Sequence, residues 1–183
     1  MKKWIIIVSV LMIMLEVSAQ RYITKNGHIK FYSETPMETI EADNHQVNSA
    51  LDVSTGDFVF KVLMKSFEFE KALMQEHFNE NYVESDKFPN ATFKGKVLHV
   101  ADYDFTSDNT YEVVVEGNLT MHGETNKVNV KGTFTVKDEK ITGTSTFIIK
   151  PEDYGIKIPK TVVDNIAEEI EVTVDAKLEA YKK

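Results

Sequence analysis

The chain has 183 residues, no cysteine and a formal net charge of −8. It therefore has no disulfides, no thiolate metal site and no cysteine nucleophile, and its charge repels nucleic acid and anionic lipid surfaces. Its length suffices for one domain with a substantial core.

In chain order, Lys2 and Lys3 precede an apolar run from Trp4 to Leu15, and Val17-Ser18-Ala19 offers small residues for cleavage before Gln20. This layout predicts a secretory signal peptide over residues 1–19, since twelve apolar residues fall short of the roughly 20 that span a bilayer. Lys2, Lys3 and Glu16 contribute +1, so residues 20–183 carry −9. A periplasmic or secreted protein is expected, without an integral membrane span. With no cysteine to be lipidated, it would be released in soluble form.

Residues 20–183 read as a single domain, without long linkers or repeats. Arg21 to Thr35 predicts a strand or strand pair with a turn at Asn26-Gly27, ended by Pro36. Short strands are expected at Thr39 to Ala42 and Gln46 to Val53, either side of Asp43-Asn44-His45. After a turn at Thr55-Gly56-Asp57, Phe58, Phe60, Val62 and Met64 alternate with Val59, Lys61 and Leu63. The period then changes: from about Glu70 to Val83, Leu73, Met74, His77 and Phe78 recur at helical spacing. Pro89 closes that segment.

Strand character resumes at Ala91, with Phe93, Gly95, Val97 and His99 on one side. Tyr111 to Val136 reads as a hairpin. Tyr111, Val113, Val115, Gly117, Leu119 and Met121 share its dry face with Val128, Val130, Gly132, Phe134 and Val136, and His122-Gly123-Glu124-Thr125 supply the turn. Ile141, Gly143, Ser145, Phe147 and Ile149 form one face of the next strand. Ile170, Val172, Val174, Ala176 and Leu178 close the chain. About eight antiparallel strands fit an all-β closed barrel or sandwich.

Gly95, Gly117, Gly132 and Gly143 all fall at the parity of the apolar face. Glycine there allows a sheet to bend, and it also removes interior volume. If a lumen exists, its expected lining is Phe58, Phe60, Val62, Phe93, Val97, His99, Val113, Val115, Val130, Phe134, Phe147 and Val174. Such walls suit a long apolar guest, each buried methylene contributing about 0.8 kcal/mol.

Three segments carry a family resemblance: EHFNENYVESDKFPNATFKG (Glu76 to Gly95), GNLTMHGETNKV (Gly117 to Val128) and DYGIKIP (Asp153 to Pro159). They resemble, in order and spacing, segments of YceI-like proteins. The resemblance implies an eight-stranded, lipocalin-like antiparallel barrel with one inserted helix, holding a polyisoprenoid or similar amphiphile outside the cytoplasm. The segment His28 to Asn44 is shorter and more polar than the family's pattern.

No catalytic residues are expected: the chain has no GxSxG elbow, GxGxxG loop or Walker loop. The five histidines show no HxH or HxxxH spacing, so neither a metal site nor any other cofactor is expected. The favoured function is an extracytoplasmic carrier of an isoprenoid lipid, quinone or similar lipid-chain amphiphile. The alternative is a β-sandwich module binding protein or carbohydrate on its outer surface, with Tyr103, Phe105 and Tyr111 as its platform. Nucleic acid is not an expected partner. Long strands leave pairing into a homodimer open without requiring it.

Overall fold

Eight long strands curl into one antiparallel sheet whose first and last members meet. The computed structural model describes residues 21–181, so the signal-peptide reading of residues 1–19 lies outside the described residues. The strands are β1 (Arg21–Glu34), β2 (Thr39–Asp52), β3 (Asp57–Leu63), β4 (Glu68–Phe69), β5 (Asn90–Val97), β6 (Asn109–Met121), β7 (Glu124–Lys137), β8 (Lys140–Ile149) and β9 (Ile170–Ala180). Hydrogen bonding runs β1-β9-β8-β7-β6-β5-β3-β2, and the pairing of β2 with β1 closes the ring. Two-residue β4 attaches to the side of β2. Closure removes the sheet edges, so the sandwich alternative does not hold.

The inserted helix α1 (Ala72–His77) continues as a wider π turn over Phe78–Tyr82, within the segment predicted to be helical. The hairpin at the end of β6 is tighter than expected. Only His122 and Gly123 form its loop, with φ of 51° and 87°, while Met121 already faces Glu124 across the ladder. Two successive left-handed residues make the turn whose twist matches the flanking strands.

The breaks expected at Asn26-Gly27 and Asp43-Asn44-His45 are bulges inside continuous strands. Between Thr24 and Gly27, β1 carries an extra residue; between Asn44 and Val47, β2 carries one, which restores the register. Asn44 pins this bulge from inside. It is fully buried, its Nδ2 donates to the Leu63 carbonyl at 2.9 Å, and its Oδ1 accepts from the Gln46 amide at 2.9 Å. The polar residues thus bend the strand without ending it.

The barrel interior divides into two clusters. At one end, Tyr22, Leu51, Val97, Val136, Ile141, Ala176 and Leu178 pack together, and Phe105, from the loop before β6, is buried against Phe134. At the other end the core includes α1, the π turn and the segment between β8 and β9.

The inward glycines bring strands close together. Gly95 and Gly117 face each other across β5 and β6, and a Cβ on Gly117 would lie 2.5 Å from Gly95 Cα and 2.7 Å from Phe93 Cζ. The Phe93 ring therefore fills the volume the two glycines release. Likewise, the Phe134 ring lies against Gly143. The expected thinning of the wall is real, but aromatic rings consume most of it there.

Candidate functional site

The main cavity, about 510 Å³, lies between the barrel mouth and the segments folded over it. From the barrel, Ile29, Val62, Ala91, Leu119, Met121 and Val172 form its floor. From above come Leu73, Met74, His77 and Phe78, the stripe read as one helical face, with Tyr82 and Val83 after them. Ile156, Ile158, Val162 and Ile166 supply the side between β8 and β9. One wall is a nest of rings: Phe31 lies 5.5 Å from Phe67 and 5.6 Å from both Phe69 and Phe78.

Polar groups are confined to a few positions, including Ser33, Glu38, Lys71, His77 and Asn165. Glu38 ties three covering segments together. Its carboxylate is 3.3 Å from Lys71 Nζ, at the start of the helix, and accepts from Asn165 Nδ2 at 3.2 Å, while Glu38 itself sits in the β1–β2 turn. A second clasp holds the far side. His122 Nδ1 is 3.0 Å from the Tyr154 carbonyl and Nε2 is 2.8 Å from the Glu84 carboxylate, with the Phe88 ring tilted against it, centroids 4.6 Å apart. Burial raises the Tyr82 hydroxyl above its ordinary pKa, and burial followed by the Asp153 charge does the same to Tyr154. Both stay neutral at physiological pH.

Deeper in the barrel a second cavity of about 130 Å³ shares Ile29, Val62, Leu119 and Phe147 with the first. Ten of the predicted lumen residues line it: Phe58, Phe60, Val62, Phe93, Val113, Val115, Val130, Phe134, Phe147 and Val174. Val97 is buried but lies in the closed-end cluster, lining neither cavity. His99 is a correction. β5 ends at Val97, and His99 adopts a left-handed conformation, φ 55°, before a short 3₁₀ turn. Parity ceases to apply once the strand stops, so the side chain is exposed.

Sequence reasoning placed the small inner cavity and missed most of the large one. Phe31, Phe67, Phe69, Ile156 and Ile158 come from β1 and from irregular or very short segments, where no long alternation marks an inward face. The usable signal was the helical stripe, which needs a partner surface. The predicted platform does not form: Phe105 is buried, while Tyr103 and Tyr111, 5.1 Å apart, pack beside it over the closed end.

A family model described as a YceI-like domain matches residues 20–178. Among solved structures, the fold is similar to a polyisoprenoid binding domain from Saccharophagus degradans, with TM-score 0.77 and 14% identity over 88% of this chain and 98% of that one. It is also similar to BcnA of Burkholderia cenocepacia, with TM-score 0.65 and 14% identity over 83% and 95%. A YCEI protein of Campylobacter jejuni follows at 0.55 and 12%, over the whole of both chains. No curated protein matches the chain in sequence. At these identities the likeness establishes the fold.

Proposed function

The chain belongs to the YceI-like domain family, and we propose that it is an extracytoplasmic carrier whose barrel holds one long apolar amphiphile of the isoprenoid class. The observation that carries this reading is the pair of apolar cavities sharing four wall residues, one under the helix and one inside the barrel. A tail entering at the helix would run past Leu119 and Phe147 towards Phe58. At about 0.8 kcal/mol per methylene, a dozen buried carbons contribute roughly 10 kcal/mol before the cost of association, enough for tight holding without a specific polar contact. Glu38, Lys71, His77 and Asn165 stand where a polar head group would emerge.

The Saccharophagus degradans domain of similar fold is described as polyisoprenoid binding, which supports this class of guest. The layout of residues 1–19 supports secretion. Among the described residues no helix is long and apolar enough to cross a membrane. The role is binding rather than catalysis, because both cavities are walled chiefly by hydrocarbon and aromatic rings.

Native mass spectrometry of the purified protein tests the proposal. A hydrophobic adduct of lipid mass, released by organic solvent and restored by adding a long-chain isoprenoid quinone, is the expected result. Absence of any adduct from several expression hosts, together with failure of the delipidated protein to take up the quinone, would overturn it.

A further inference from the structure

On the outer wall of the barrel, His28 of β1 meets Asp43 and His45 of β2. Each offers one donor atom, and the three atoms lie within 4.8 Å of one another. We propose that this trio is a binding site for a divalent transition-metal ion of the zinc class, separate from the lipid cavity.

The bulge builds the site. With Asn44 anchored inside the barrel, the extra residue in β2 leaves both His45 and Gln46 on the outside before Val47 turns inward again. This brings the His45 ring to 4.4 Å from His28, 10° from parallel. His28 Nε2 lies 2.7 Å from Asp43 Oδ1, and a carboxylate only accepts, so that nitrogen carries the hydrogen in the unliganded site. A cation entering between them takes the place of that hydrogen, which passes through solvent to Nδ1, so that the ring binds through Nε2 as a neutral imidazole. Rotation of the exposed His45 ring then brings the third donor towards the roughly 3.3 Å spacing of a tetrahedral site with bonds of about 2.0–2.1 Å. Water completes the shell, since His28 and Asp43 are 32% and 41% exposed. Two imidazoles and one carboxylate favour zinc-like ions over calcium or magnesium. The ion would staple β1 to β2 across their irregular register.

Titration of the full chain with zinc chloride, followed by calorimetry and by the imidazole resonances, tests the site. One equivalent should bind, shifting the His28 and His45 resonances together and raising Tm, whereas magnesium chloride should leave both resonances unmoved. His28→Gln and His45→Gln should each weaken binding by about tenfold or more, and His99→Gln should leave it unchanged. Unmoved His28 and His45 resonances, or undiminished affinity in the double His28→Gln/His45→Gln variant, would overturn the proposal.

Discussion

At the end of the barrel covered by Phe105, the side chains of Leu51, Ile141 and Leu178 have no exposed surface. At the opposite end Phe31, Phe78 and Leu119 remain partly exposed around a cavity of about 510 Å³. The two ends use similar residues, so hydrophobicity does not distinguish them. The difference lies in what covers each opening. A short loop seats one ring into the closed end. A helix, a turn and an irregular segment arch over the other, held through Glu38 and His122 at their margins. The closed end contributes packing; the open end forgoes contacts around its cavity, the space that the proposed guest would fill.

Substitutions can break this division, and the largest effect is expected where strands touch. Gly117→Val places its side chain against Gly95 Cα and the Lys94 carbonyl, each 2.5 Å from the Cβ position. It should cost about 4 kcal/mol or more, measured by urea unfolding, because the neighbouring atoms are backbone and cannot rotate away. An unchanged midpoint would show that the wall is pliable. Leu178→Ala comes next, at about 3 kcal/mol, and should leave quinone uptake intact because it lies at the closed end. A loss of uptake matching the loss of stability would erase the distinction between the ends.

Filling the hollow end should do the reverse. Ala91→Phe projects into the large cavity and should weaken quinone binding by tenfold or more, about 1.4 kcal/mol, with little change in Tm. Unaltered binding would move the guest elsewhere.

The smallest effect concerns acidity at the closed end. Asp104 accepts from Ser107 Oγ and Thr106 Oγ1, both at 2.6 Å, and from the Thr106 amide at 2.8 Å. These bonds hold its carboxyl down to about 2, against an ordinary 3.8. A depressed carboxyl contributes its stability above the ordinary value and loses it as pH falls through the folded one. The near-UV signal of neighbouring Tyr103 and Tyr111 should therefore change between about pH 4 and about pH 2, before the hollow end responds. Carboxyl resonances give the midpoint directly, and a value at 3.8 would contradict the bonded loop.

Much of the fold was legible because a strand's inward face obeys a two-residue period. The β6–β7 hairpin, the helical stripe from Leu73 to Phe78, the inward glycines and ten of the twelve predicted lumen residues follow from such local patterns. His99 was misplaced because parity was carried two residues past the end of β5. Asn26-Gly27 read as a turn, and Asp43-Asn44-His45 as a polar break between two short strands, because bulges draw on the same residue types as turns and breaks.

By itself, the sequence determined which faces are apolar, because side-chain alternation and turn chemistry act over a few residues. The barrel rather than the sandwich followed from the resemblance of three segments to YceI-like proteins. Only the tertiary structure decided where the space lies and which donors gather outside. A void is a property of the distance between remote segments, here the helix and the barrel mouth. The meeting of His28 with His45 likewise depends on a register shift between two strands that no spacing within either one encodes.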